Sequence, residues 1–216
     1  MSEKTIAIPV PGSTVDGLLH ETPGERAVVV THPHPLYGGD MYNNVVAAIA
    51  QAYREADFTT LRFNFRGIGQ SPTVYDQARE GKADVQAALD YLREMGKTTI
   101  HLAGYSFGSW INAIGLNGFE SANRLILVAP PIAFLDFSKV LPSEKFELVI
   151  TGSDDELAPP VLLESLVHHW NSNALFEIVE GADHFYFSQT GRVRAIISQF
   201  LTSARNKRTS VDLKKY

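Results

Sequence analysis

The chain has 216 residues and a mass of 23.8 kDa, enough for one domain with a substantial core and no need of disulfides or a structural metal. Nineteen Lys and Arg against 24 Asp and Glu give a net charge of −5, which argues against nucleic acid as a main partner, because phosphate binding needs an excess of cations. The absence of cysteine excludes thiol catalysis, disulfide frameworks and Cys-ligated zinc or iron–sulfur sites.

Near the N-terminus, the apolar stretch from Ile6 to Val10 is short and contains Pro9, so no secretory leader is expected. No run approaches the ~20 apolar residues that cross a bilayer. The expectation is a single-domain cytoplasmic protein, monomer or homodimer, with no nucleic-acid or membrane partner. Thr5–Val10 and Val15–Glu21 read as strands of an opening hairpin around the turn Pro11-Gly12-Ser13. Ala27–Thr31 is a wholly apolar run, the pattern of a central strand buried on both faces. A helix is expected from Asn43 to about Ala56, with Val46, Ile49, Ala50 and Tyr53 at helical spacing, then a strand over Thr59–Phe65. Val85, Ala88, Leu89 and Leu92 predict one face of a helix from about Glu80 to Met95. Strand Thr99–Gly104 and helix Phe107–Leu116 follow, then strands Leu125–Ala129 and Leu148–Thr151. A helix at Val161–Trp170, a strand at Ala174–Val179 and a last helix at Arg192–Thr202 complete the domain, residues 1–204. Residues 205–216 read as a basic, mobile tail.

This alternation predicts an α/β fold: a mostly parallel sheet with helices on both faces. Ligands of such sheets bind beyond the carboxyl ends of the strands, so functional residues should stand there. After the strand ending at Gly104 comes Gly104-Tyr105-Ser106-Phe107-Gly108, a G-x-S-x-G between an apolar strand and an amphipathic helix. A sharp strand-to-helix turn lifts a serine hydroxyl above the sheet and aims the following N–H at an incoming carbonyl oxygen. The bland reading is Ser106 as a helix cap. A serine nucleophile needs a base, and the base needs an orienting carboxylate. Asp154 and Asp155 both follow the strand ending at Thr151, and His184 follows the strand ending at Val179. The order Ser, Asp, His along the chain is that of the α/β-hydrolases.

The second oxyanion donor is expected in the loop His32-Pro33-His34-Pro35-Leu36-Tyr37-Gly38-Gly39. Prolines have no N–H to give, which leaves that of His34 first and that of Leu36 next. His32 and His34 as metal ligands is a rival reading, but no cysteine or carboxylate set stands nearby to complete a shell, and no metal is expected. His20, His101, His168 and His169 fall inside predicted elements and read as packing or surface residues.

His32–Gly39, Leu61–Ser71, Ala103–Gly108, Ala129-Pro130-Pro131 and Gly181–Phe185 resemble the small serine α/β-hydrolases related to dienelactone hydrolases, over roughly residues 5–203. The resemblance implies an α/β-hydrolase fold and a Ser–His–Asp hydrolase with no cofactor. The family's acid commonly lies three residues after the glycine that ends its strand, which selects Asp155 by counting from Gly152. Two departures stand out. Dienelactone hydrolases proper have a cysteine nucleophile where this chain has Ser106, so their substrate does not carry over. Asp57 stands where relatives usually have glycine after a helix, a left-handed site that Asp tolerates.

Lids in this fold commonly enter where Pro130–Lys145 lies, a connection long enough for a flap and too short for a helical cap. The expected cleft is open and bordered by Leu36, Tyr37, Phe107, Phe134 and Phe185. The substrate expected is a small or medium carboxylic ester, with thioester or lactone within reach of the same machinery. The alternatives are a non-catalytic binding module on this scaffold, or a peptidase or amidase of the same fold.

Overall fold

The computed structural model describes residues 2–66 and 74–212. Gly67–Ser71, the second half of the motif beginning at Leu61, lies outside the described residues, as does the end of the basic tail from residue 213. Among the described residues, eight strands form one sheet: β1 (Lys4–Val10), β2 (Ser13–His20), β3 (Arg26–Thr31), β4 (Thr59–Phe63), β5 (Thr99–Tyr105), β6 (Ala122–Val128), β7 (Phe146–Gly152) and β8 (Leu175–Val179). Their order across the sheet is β1-β2-β4-β3-β5-β6-β7-β8, antiparallel for the β1/β2 and β2/β4 pairs and parallel for the rest. Five α-helices among the described residues connect or follow them: α1 (Asn44–Glu55), α2 (Val74–Glu94), α3 (Phe107–Gly115), α4 (Pro160–Trp170) and α5 (Thr190–Asp212).

The topology turns at β3. From it the chain crosses one way to β4 through α1, then back past β3 to β5 through α2. Right-handed crossovers in opposite directions put α1 and α2 on opposite faces of the sheet. The crossovers carrying α3 and α4 run the same way as that of α2, so these helices share its face, while α5 packs against α1. The loops after β3 and β5 therefore open side by side at the switch point, the place where such sheets hold ligands.

Ala27, Val28, Val29 and Val30 of β3 are fully buried, as a strand covered by helices on both faces requires. Two buried polar side chains of the adjacent strand find partners within the chain: Thr59 Oγ1 accepts from Thr22 N–H at 3.0 Å, and Arg62 donates to Met41 O and to both Glu3 oxygens. Asp57 has φ 60°, the left-handed turn expected after α1.

Two helices are longer than their periodicity suggested. α2 starts at Val74 rather than near Glu80, and α5 continues to Asp212, through residues read from sequence as a tail. No glycine or proline stands between Arg192 and Asp212 to stop α5. Between β6 and β7, in the position of a lid, the chain forms no helix. It is tied to the body instead by buried Phe137 and Val140 and by Trp110 Nε1–H, which donates to Asp136 O at 2.9 Å. No helix among the described residues is long and apolar enough to cross a membrane.

Candidate active site

Ser106 joins β5 to α3 with φ 54° and ψ −118°. A non-glycine residue in that region costs on the order of 1–3 kcal/mol and persists only when its surroundings impose it. Here they do. Ser106 N–H is bonded to Val128 O at 2.9 Å, and Ser109 Oγ sits 2.7 Å from the Gly104 carbonyl and 2.9 Å from that of Val128, clamping the turn from below.

The turn presents Ser106 Oγ to His184 Nε2 at 2.8 Å. His184 Nδ1 lies 2.9 Å from both carboxylate oxygens of Asp155. With Nδ1–H donating to the carboxylate, Nε2 is the acceptor for the serine proton. Asp155 is 2 % exposed, and its Oδ1 also accepts from Leu157 N–H at 3.0 Å and Ala158 N–H at 2.8 Å, so its rotamer is fixed from two sides. Asp154, the other candidate, faces solvent and accepts from Ser153 Oγ. The loops of Asp155 and His184 meet because Gly152 lets them: a Cβ there would stand 2.1 Å from Ala182 O. Tyr105 O–H donates to the His184 carbonyl at 2.7 Å and fixes that loop from the sheet side; burial pushes its phenol well above the ordinary range.

The loop after β3 is built around its two histidines, which have separate partners. His32 is buried; its Nε2 accepts from Phe65 N–H at 3.0 Å and its Nδ1–H donates to Pro33 O at 2.6 Å. Only a neutral ring does both, and burial lowers its pKa to about 4. His34 Nδ1 accepts from Leu36 N–H at 3.2 Å, its Nε2–H donates to Gln77 Oε1 at 3.3 Å, and its ring stands edge-on to Phe107 at 4.7 Å. Burial lowers its pKa, against the opposing bond to Gln77. The bond from Leu36 N–H to the His34 ring takes up the alternative oxyanion donor. The backbone N–H groups of His34 and Phe107 meet no acceptor among the described residues. Among those residues, no group of three or more His, Asp or Glu is placed to hold a metal ion.

A cavity of about 470 Å³ opens over Ser106 and His184. Tyr37, Phe107, Phe134 and Phe185 line it, as the sequence predicted, and Tyr105, Asn43, Pro131, Leu135 and Leu157 join them. Leu36 is a correction: its side chain is 61 % exposed and does not line the cavity, because the tight 3-10 turn Pro35–Tyr37 rotates it outward. Tyr105 adjoins Ser106, and Pro131 and Leu135 flank Phe134, whereas Asn43 and Leu157 come from segments remote from the predicted border. Of these two, Asn43 carried a local signal, that of a helix cap.

No protein-family model matches the chain. Among solved structures, an α/β serine hydrolase homologue from Coxiella burnetii is 30% identical, covering 93% of this chain and 98% of its own, with a TM-score of 0.82. An α/β serine hydrolase without a lid from Xanthomonas campestris is 27% identical over 92% of this chain and 93% of its own, TM-score 0.80. A dienelactone hydrolase from Anabaena variabilis, 14% identical over 94% of this chain and 97% of its own, shares the fold with a TM-score of 0.76. At 30% identity across nearly the whole of both chains, this protein belongs to the α/β serine hydrolase family, and hydrolysis is its class of chemistry.

Proposed function

We propose that the protein cleaves a small or medium carboxylic ester, or a thioester or lactone, through an acyl-enzyme on Ser106. The observation that carries this reading is the unbroken run of hydrogen bonds from Ser106 Oγ through His184 to Asp155, hung on a serine with φ 54°. As Oγ attacks the carbonyl carbon, His184 Nε2 takes its proton, and Asp155 holds the ring's tautomer and stabilises the imidazolium. The oxyanion forms where the N–H groups of Phe107 and His34 receive it, one such donor being worth roughly 10²–10³ in rate. Collapse expels the alcohol, which takes the proton from His184. Water then attacks the acyl-enzyme, losing its proton to the same ring, and Ser106 leaves as the free hydroxyl with the acid as product.

The open cleft suits small and medium substrates, and the Xanthomonas relative is likewise described as lacking a lid. Fluorophosphonate labelling tests the reading on wild type, Ser106→Ala and His184→Ala. Labelling of the wild type that both substitutions abolish is the expected result, with hydrolysis of short 4-nitrophenyl esters lost in parallel. A folded wild-type protein that neither labels nor turns over an ester, thioester or lactone would overturn it.

A further inference from the structure

Most polar side chains lining the cavity are already engaged. Tyr105 O–H donates to the His184 carbonyl, the His34 ring binds Leu36 N–H and Gln77, and His184 joins Ser106 to Asp155. Tyr37 is 75 % exposed, so its hydroxyl keeps water as a partner. Asn43 differs. It caps α1, its Oδ1 accepting from Val45 N–H at 2.9 Å and Val46 N–H at 3.4 Å. Two donors on that oxygen settle which way round the amide stands. The Nδ2 group therefore faces away from the helix, on a half-buried residue of the cavity wall, and no described residue accepts from it.

The remaining wall is apolar: Phe134, Leu135, Leu157 and Phe185 with Pro131. No Lys, Arg, Asp or Glu lines the cavity among the described residues. A charged substituent entering such a cleft loses its water with nothing to replace it, whereas a neutral oxygen can trade water for the amide. We infer that Asn43 Nδ2 is a specificity-determining donor, and that the substrate is a neutral, largely apolar ester with one acceptor oxygen remote from the scissile carbonyl. The inference rests on the ester-hydrolase reading of Ser106. One neutral hydrogen bond changes kcat/KM roughly fivefold.

The test uses butyl hexanoate and isosteres in which an ether oxygen replaces, in turn, each acyl or alcohol methylene that is not bonded to the ester group. Titration of the released acid gives kcat/KM for wild type, Asn43→Ser and Asn43→Asp. Both substitutions keep an oxygen to cap α1 and remove the donor. For at least one isostere, the ratio of its kcat/KM to that of butyl hexanoate falls roughly fivefold in both variants. Monobutyl adipate, with its terminal carboxylate, is a poorer wild-type substrate than butyl hexanoate. Ratios unchanged within twofold for every isostere, or a wild-type preference for monobutyl adipate, overturn the inference while leaving the hydrolase reading intact. Fluorophosphonate labelling without turnover of any of these esters overturns the ester class named here. Neither labelling nor turnover removes the hydrolase reading and this inference with it.

Discussion

Gly108→Ala perturbs the contact on which both halves of the site depend. A Cβ at Gly108 would stand 2.5 Å from Thr31 Oγ1 and 2.7 Å from the Thr31 carbonyl carbon and oxygen. Ordinary contacts between such atoms lie near 3.5–4.0 Å, so α3 and the end of β3 must part by about 1 Å. Thr31 cannot simply rotate clear, since its hydroxyl is bonded to Asn112 Nδ2 at 3.0 Å and packs at 3.4 Å from Ala103 O. Overpacking of this kind costs about 1–3 kcal/mol, and in a chain of this size lowers Tm by about 2–12 °C. The functional effect is larger. Thr31 leads directly into His32 and His34, while Gly108 follows Ser106 and Phe107, so the substitution separates the two N–H groups proposed to receive the oxyanion. A misplacement of about 1 Å costs roughly 100-fold in rate. Circular-dichroism melting and the rate of fluorophosphonate labelling measure both effects, with Gly118→Ala as control, since nothing lies within 4 Å of a Cβ there. If Gly108→Ala labels within threefold of wild type at an unchanged Tm, the reasoning fails.

Two further predictions follow from particular hydrogen bonds. In Asp155→Asn, the amide keeps its oxygen towards Leu157 and Ala158 N–H and turns Nδ2 to His184, because those backbone donors hold only an acceptor. The ring then carries its proton on Nε2 and cannot take that of Ser106, so kcat falls by roughly 10⁴ while Tm changes little; a loss below tenfold refutes this. Burial holds His32 at about 4 rather than 6.5, so between those values the unfolded chain binds a proton that the native ring refuses. Its contribution is full above pH 6.5 and is lost as pH falls towards 4. Asp84, pushed up to about 6 by burial, acts in the opposite sense over pH 3.8–6, but equally in wild type and a His32 variant. The gap in unfolding free energy between wild type and His32→Asn, from urea titrations, should therefore shrink by about 2 kcal/mol between pH 7 and pH 4.5. A gap independent of pH would mean that His32 is not held neutral.

The sequence by itself determined the class of fold and the residues at the strand ends. Apolar runs such as Ala27–Thr31 and faces such as Val85, Ala88, Leu89 and Leu92 report burial through local periodicity, which needs no knowledge of the partner surface. Ser106 and His184 were legible because their turns are local, and Asp155 was preferred to Asp154 only through resemblance to a family spacing. Tertiary structure decided what depends on convergence. It closed Asp155 onto His184, turned Leu36 out of the cleft and tied Tyr105 to the His184 carbonyl. It also brought Leu157 and Asn43 to one cavity and neutralised buried Arg62 with Glu3. Periodicity records which side of an element is dry; which atoms meet there is set by the sheet order and by loops that pack only once the strands are in place.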